Sequence, residues 1–140
     1  MNNQNNIIML KNRIVLFTIC LLSSYLVMAQ KNITEVQFEK DKIILNGKKA
    51  FDYRKEGNNY AILDLKGNEL ITGEIRKNDK GKWFSIITFK MVDKTFSNKK
   101  IIGRNHLIFA LAEENVFQKN LKINKEKLLE FIQKYNELDK

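Results

Sequence analysis

The sequence predicts an α+β fold in which an antiparallel β-meander of about five to seven strands is followed by two C-terminal helices. Three observations support this prediction. Turn-forming glycines recur at positions 47, 57, 67 and 81, with strand-length segments and no helical pattern between them. Residues 82–91 form an apolar run of strand length. After Gly103 the apolar spacing becomes helical, and the last helix is amphipathic, so we expect it to pack on the sheet.

Residues 82–91 (KWFSIITFKM) are the strand around which we expect the sheet to form. Alternate side chains of a strand point to opposite faces of the sheet. One face would carry Trp83, Ile87, Phe89 and Met91, and the other would carry Phe84, Ile86 and Val92. Because both sets are apolar, the pattern predicts a strand that is covered on both faces. Ser85 is expected to be a small residue that faces the core.

Local turn chemistry sets the other strand boundaries. The pair Asn46-Gly47 suits the two positive φ angles of a type I′ turn, which predicts a hairpin between residues 43–45 and residues 48–53. Two further loops have Asp or Asn at the first turn position and Gly at the last, and they are residues 64–67 and 78–81. Further strands are predicted at residues 33–38, 60–63, 69–76 and 92–96.

The region after Gly103 is predicted to begin with a short helix. Asn105 can cap this helix, and Asn115 suits the left-handed position after its end. Glu113 and Glu114 are placed unfavourably for the helix dipole, however. A strand at residues 106–111 therefore remains an open alternative.

The last helix has a complete N-terminal signal. Asn124 is the predicted N-cap, and Ile123 and Leu128 are the pair expected in a hydrophobic staple. The apolar stripe of this helix consists of Leu128, Phe131, Ile132, Tyr135 and Leu138. This spacing predicts a helix with one buried face.

Residues 1–29 have the order of a secretory signal peptide, with basic residues, an apolar core and then Ala29 at the position that a signal peptidase reads. Cleavage before Gln30 would leave residues 30–140 as a single small exported domain. A retained membrane anchor is the alternative, although the apolar run is shorter than the roughly 20 residues of a spanning helix. The abundance of Lys, Asn and Ile without Pro is typical of a bacterial protein. The expected location is the periplasm, the outer envelope or the medium.

The composition after cleavage excludes several classes of site and partner. The only cysteine, Cys20, lies in the signal segment, which excludes disulfides, thiolate nucleophiles and cysteine-based metal sites from the domain. Cleavage removes two basic residues and no acid, so the net charge falls from +9 to +7. Because few of these charges are arginines, nucleic acid is not an expected partner. An envelope protein or an anionic envelope component is expected instead.

No residue pattern predicts a catalytic site, and no metal or other cofactor is expected. His106 is the sole histidine and precedes two apolar residues, which favours a structural role. Ser85 and Ser97 lack the glycines of a nucleophile elbow. The carboxylates that could act as an acid–base pair in a cleft are Asp52, Asp64 and Glu74. Each of them is also explained by a turn or by an outward strand position.

The sequence therefore favours a non-catalytic binding or protein-interaction module of the cell envelope or periplasm. The alternatives are a small secreted hydrolase that uses carboxylates or His106, and a structural or accessory envelope protein without a small ligand. The candidate binding residues are a basic cluster of Lys94, Lys99, Lys100 and Arg104, and an aromatic pair of Tyr53 and Tyr60. The tyrosines could form an exposed patch with Phe51 and Trp83. The alternative for the basic cluster is a solvated loop, and the alternative for the aromatic residues is that they fill the core.

Overall fold

A computed structural model describes residues 4, 7–9, 11 and 30–138. The chain divides into two units, Met1–Gln30 and Lys31–Lys140, and the second unit carries the sheet and both C-terminal helices. The predicted signal peptide and the alternative of a membrane anchor fall almost entirely on residues outside the described part, and both stay predictions. None of the described helices combines the length and the hydropathy of a membrane-spanning segment.

The second unit has a seven-stranded antiparallel sheet whose strands are neighbours in chain order. The strands are β1 (Val36–Phe38), β2 (Lys42–Leu45), β3 (Lys48–Glu56), β4 (Asn59–Leu63), β5 (Glu69–Lys77), β6 (Trp83–Phe89) and β7 (Lys94–Asn98). A 3-10 turn, Lys90–Val92, separates the last two strands. Two helices follow, α1 (Gly103–Glu113) and α2 (Lys125–Tyr135). The predicted α+β fold, a meander followed by two helices, is confirmed.

The turns form as their local chemistry predicts. Asn46 and Gly47 have φ angles of 50° and 73°, as a type I′ turn requires. In the β4–β5 loop the Asp64 carboxylate accepts hydrogen bonds from the backbone N–H groups of Lys66 and Asn68, both at 2.9 Å. In the β5–β6 loop the Asn78 side chain accepts equivalent hydrogen bonds from the backbone N–H groups of Lys80 and Lys82. The two loops therefore share one hydrogen-bonding pattern.

The first strand is shorter than predicted, because the Asn46 side chain forms hydrogen bonds with the backbone of residues 32–35. Its Oδ1 accepts from the N–H groups of Thr34 at 2.9 Å and Glu35 at 3.2 Å, and its Nδ2 donates to the carbonyl of Asn32 at 2.9 Å. Together with a backbone bond from the Asn46 N–H to the Glu35 carbonyl at 2.9 Å, these bonds hold residues 32–35 against the hairpin, and β1 begins only at Val36.

The core lies between one face of the sheet and the two helices. The fully buried residues of the sheet face include Ile43, Ile62, Ile71, Ile87, Phe89 and Phe96. Helix α1 packs against β1, β4 and β5, whereas α2 packs against β7 and the 3-10 turn. Phe131 of α2 meets the rings of Phe89 and Phe96 edge-on, with centroids 6.5 and 5.7 Å apart. Both helices therefore cover the same face.

The prediction that the central strand is covered on both faces is wrong. Ser85, Ile87 and Phe89 are buried on the helix side, and Ser85 faces the core as predicted. Phe84 and Ile86 point to the other face and are only half-buried, since no described helix packs there. Both helices follow the last strand and pack against the same buried face of the sheet, so neither of them covers Phe84 and Ile86.

Helix α1 is a helix and not a strand, but it begins earlier than Asn105. Ile102 is the N-cap residue, and its N–H donates to Nδ1 of His106 at 3.3 Å. The N–H of Gly103 donates to the Ser85 hydroxyl on β6 at 3.2 Å. These two bonds satisfy donors that a helix start leaves free. At the other end Asn115 has the predicted left-handed conformation, with φ 53°.

Helix α2 forms as predicted. The Asn124 side chain accepts a hydrogen bond from the N–H of Lys127 at 3.0 Å, which confirms the N-cap. Leu128, Phe131 and Ile132 are buried, as their stripe predicts. Leu138 is exposed because the helix ends at Tyr135.

Glu114 links the two helices and gives the fold a predicted pH dependence. Its carboxylate accepts from Lys134 Nζ and from the Tyr135 hydroxyl, both at 2.7 Å, and these bonds lower the pKa of Glu114 below its usual 4.5. A depressed carboxyl pKa adds stability above the unfolded-state pKa and loses it as pH falls through the folded-state value. We expect Glu114→Gln to lower the melting temperature at pH 7. Below about pH 4.5, the melting temperature of this variant should fall less steeply with decreasing pH than that of the unsubstituted protein. Thermal unfolding across pH 3–7 measures both effects, and an unchanged acid decline would contradict this role.

Candidate functional site

An apolar groove lies at one end of the sheet, with a volume of about 480 Å³. Its lining comes from β3, the β4–β5 loop, the start of β5, the 3-10 turn and the loop before α2. The apolar lining residues are Ala50, Phe51, Leu65, Leu70, Met91, Leu121 and Ile123, and the polar ones are Lys49, Asp64, Asn120 and Lys122. Volumes of roughly 300–1,000 Å³ with mostly apolar walls are usual for small-molecule sites.

The groove has apolar side chains at its rim as well as in its wall. Phe51 is buried against Phe117 at a centroid distance of 5.6 Å, and Leu70 packs at the edge of the core. Leu65 and Met91, in contrast, are 57% and 45% exposed. An exposed apolar side chain is unremarkable alone, but two that line one apolar concavity mark a candidate binding surface.

The loop of residues 117–123 forms one wall and holds a leucine in an unfavourable conformation. Phe117 and Ile123 form an isolated β-bridge, and the N–H of Gln118 donates to the carbonyl of Lys122 at 2.8 Å. Within this tight loop Leu121 has φ 67°. A left-handed conformation costs a branched side chain roughly 1–2 kcal/mol, and Gly or Asn is the usual residue there. Leu121 instead places an apolar side chain in the groove lining.

Lysines and one aspartate supply the charges of the groove. Lys49 forms an ion pair with Asp52 at 2.6 Å, whereas Lys122 has no carboxylate within 4.0 Å among the described residues. Asp64 is engaged in its own turn, because Oδ1 accepts two backbone hydrogen bonds and Oδ2 accepts from the Asn68 side chain at 2.8 Å. The bonds from Asn68 hold the pKa of Asp64 below its usual value.

A second, polar depression of about 340 Å³ lies on the open face of the sheet. Arg54 of β3 forms an ion pair with Glu69 of β5 at 2.6 Å across the strand between them, and Glu74 pairs with Arg76 at 2.6 Å. Thr72 and Thr88 are also in its lining. Arg54, Glu69 and Glu74 are thus held in ion pairs, and Glu56, the remaining charged residue of the lining, is exposed to solvent, so the depression resembles a solvated sheet face more closely than a ligand pocket.

The predicted aromatic pair lies close together but is largely enclosed. Tyr53 and Tyr60 have ring centroids 6.2 Å apart, and Tyr60 is only 4% exposed. Burial raises the pKa of both phenols. Phe51 is likewise buried, while Trp83 is exposed at the start of β6 with Lys77 Nζ 4.5 Å from its ring centroid. The four aromatic residues therefore do not form one exposed patch.

The predicted basic cluster is spread over the structure. Lys94 starts β7 and Lys99 and Lys100 follow its end, so roughly 17 Å of strand separates them. The Arg104 guanidinium stacks on the rings of Tyr53 and Phe38, at 4.1 and 4.9 Å. Its Nη1 donates to the Glu39 carbonyl at 2.8 Å. Arg104 thus joins α1 to the sheet, and binding by the three lysines stays a prediction.

The candidate catalytic residues have structural partners. Within the described part of the chain, the His106 ring has one hydrogen bond, which it accepts from the N–H of Ile102, and Ser85 is fully buried beneath the start of α1. Asp52 and Glu74 lie opposite the two ends of β4, roughly 14 Å apart along the strand. This is wider than the spacing of roughly 5–9.5 Å in glycosidase carboxylate pairs. Among the described residues, no three His, Cys, Asp or Glu side chains are grouped so that they could hold a metal.

Sequence reasoning missed the groove because its lining comes from five separate segments. No local pattern places residues 117–123 in a helix or strand, and the spacing of Asp64 and Gly67 predicts only a turn at Leu65. One signal was available, since an apolar residue at position 65 or 121 of an otherwise polar loop is unusual.

Comparisons with protein-family models, with curated proteins and with solved structures find no match to this chain. The geometry of the groove is therefore the main basis for a functional proposal.

Proposed function

We propose that the protein is an exported, non-catalytic binding module of the bacterial envelope or periplasm, and that the apolar groove is its binding site. The observation that supports this is the convergence of five chain segments on one apolar concavity with two exposed apolar side chains at its rim. The leader and the basic composition support the location and an anionic partner from the envelope.

The strained Leu121 gives independent support to the groove. Backbone strain persists where the surrounding structure imposes it, and such positions are frequent at ligand clamps. The hairpin bonds of residues 118–122 impose the left-handed conformation here. An asparagine would relieve this strain, but it would also remove an apolar contact from the groove.

Binding of a neutral apolar fluorophore tests this site. We expect N-phenyl-1-naphthylamine to bind the folded domain saturably with one site, and Met91→Glu to weaken binding at least about tenfold, because a carboxylate replaces apolar contact area. Fluorescence titration measures the affinity. Leu129→Glu is the matched control, since Leu129 is also exposed, at 41%, but lies on α2 and does not line the groove. Absent binding, or equal losses in the two variants, would contradict the proposed site.

Export is tested separately. We expect the protein recovered from the periplasm or medium of a bacterial host to begin at Gln30, because Val27 and Ala29 occupy the positions that a signal peptidase reads. Intact-mass measurement of the purified protein gives the cleavage site directly. Full-length chain in the membrane fraction would instead indicate a retained anchor.

A further inference from the structure

We propose that the groove binds a fatty acid, with the alkyl chain along the apolar wall and the carboxylate beside Lys122. This inference rests on the proposed function, because it assigns a ligand class to the same groove. The shape of the groove, the charges at its edge and the chemistry of the loop that carries Lys122 each contribute to it.

The shape of the groove suits a slender apolar ligand better than a folded partner. Protein interfaces that are stable generally bury more than about 1,000 Å² and present a broad surface. Here the apolar residues line a concavity of about 480 Å³, and only Leu65 and Met91 of the apolar lining residues are prominently exposed. An alkyl chain can bury its length against Phe51 and Leu121 without contacting a wide area of protein.

The charges at the edge of the groove select a negative head group. Among the described residues that line the groove, Lys122 is the cation without a carboxylate within 4.0 Å. The other lining lysine, Lys49, is neutralised by Asp52. The one lining carboxylate, Asp64, has both oxygens hydrogen-bonded within the β4–β5 loop. Asp64 remains negatively charged, but the hydrogen bonds from Asn68 and the nearby charge of Lys66 both lower its pKa, so Lys66 offsets this carboxylate and Lys122 is the lining charge that is left without an opposite one.

The loop of residues 117–123 brings the two properties together. Leu121 and Lys122 are adjacent in sequence, and both line the groove. The N–H of Lys122 donates to Oδ1 of Asn120 at 3.0 Å, and its carbonyl accepts from Gln118. The same hairpin therefore fixes an apolar contact and a positive charge one residue apart, which matches the junction between a chain and its carboxylate.

The test measures binding of dodecanoate below its micelle concentration by isothermal titration calorimetry. Two comparison ligands have the same alkyl chain length as dodecanoate but a different head-group charge. They are neutral 1-monododecanoylglycerol and cationic dodecyltrimethylammonium. We expect dodecanoate to bind most tightly and the cation most weakly. Lys122→Glu should weaken dodecanoate binding about 3- to 10-fold, and it should change the affinity for the neutral probe less than about twofold.

Lys80→Glu is the matched control for charge. Lys80 lies in the β5–β6 loop, at the opposite end of β5 from the groove. Its replacement by Glu changes the net charge of the molecule by the same amount as Lys122→Glu. We expect less than about a twofold effect on dodecanoate binding, because exposed charges are screened beyond roughly 8–10 Å at physiological salt. Equal losses in Lys80→Glu and Lys122→Glu would overturn the assignment of Lys122.

The outcomes separate this inference from the proposed function. If N-phenyl-1-naphthylamine binds and Met91→Glu abolishes it, but the three amphiphiles bind equally or the cation binds best, the fatty-acid assignment fails and the apolar binding site stands. If neither the fluorophore nor dodecanoate binds, both fail. Dodecanoate binding that Met91→Glu leaves intact would place the ligand elsewhere and would also overturn the proposal.

Discussion

Replacing Gly73 with alanine is expected to lower the free energy of unfolding by about 2–3 kcal/mol, because the added methyl overpacks the core. Gly73 of β5 lies directly opposite Tyr60 of β4. A Cβ at position 73 would collide with the ring carbons and hydroxyl of Tyr60. The ring has little room to move, since it is buried and packs beside Tyr53. Denaturant unfolding of the domain measures the loss.

The sign of this effect is diagnostic. Alanine is normally favoured over glycine within a strand by roughly 0.5–1 kcal/mol, so a position without a collision would gain stability. In a Tyr60→Leu background we expect Gly73→Ala to cost less than about 0.5 kcal/mol, since the shorter side chain leaves space for the methyl group. An equal cost in both backgrounds would show that the ring is not responsible.

Tyr60→Phe is the complementary control, because it keeps the ring and removes the hydroxyl. That hydroxyl is buried and has no hydrogen-bond partner among the described residues. Removing an unpaired buried polar group is expected to stabilise the domain by about 1 kcal/mol. The same substitution should leave the cost of Gly73→Ala nearly unchanged.

Replacing Asn98 with alanine is expected to lower the free energy of unfolding by about 2–4 kcal/mol, because it leaves buried backbone groups unpaired. Asn98 ends β7 and is 5% exposed. Its Oδ1 accepts from the N–H groups of Lys100 and Ile101 at 2.7 and 2.9 Å. Its Nδ2 donates at 2.8 Å to the carbonyl of Tyr135, the last residue of α2. One side chain thus joins the sheet, the following loop and the final helix.

The control for this prediction is Asn105→Ala. Asn105 is exposed on α1, and among the described residues its side chain has one hydrogen bond, which it accepts from its neighbour Arg104, so its effect should stay within about 0.5 kcal/mol. Denaturant unfolding gives both values, and hydrogen exchange should show faster exchange at Ile101 in Asn98→Ala alone. Comparable losses in the two variants would show that Asn98 is not a structural junction.

The elements that depend on interactions between residues close in sequence could be predicted from the sequence. Asn46 and Gly47 adopt the expected positive φ angles, and Asp64 organises its own loop through residues only two and four positions away. Asn124 caps α2 by accepting a hydrogen bond from the N–H of Lys127, three residues later in the sequence. In each case the interacting groups are close in sequence, so residue type and spacing contain the information.

Helix α1 shows where local information ends. Its sequence allowed a helix or a strand, and the proposed cap, Asn105, lies inside the helix. The start is set by Ser85, which is 18 residues away, and by the stacking of Arg104 on Phe38 and Tyr53. Only the folded chain brings these groups together, so residue spacing near position 103 did not reveal the boundary.

The sequence by itself determined the meander, its turns and the amphipathic final helix, because these depend on alternation and on contacts between near neighbours. The tertiary structure decided which face of the sheet is covered, and it left Phe84 and Ile86 on an open face although they alternate like core residues. It also assembled the groove from Phe51, Leu65 and Leu121, which lie on separate segments. Burial and concavity depend on how distant segments pack, and periodicity along one segment does not contain that information.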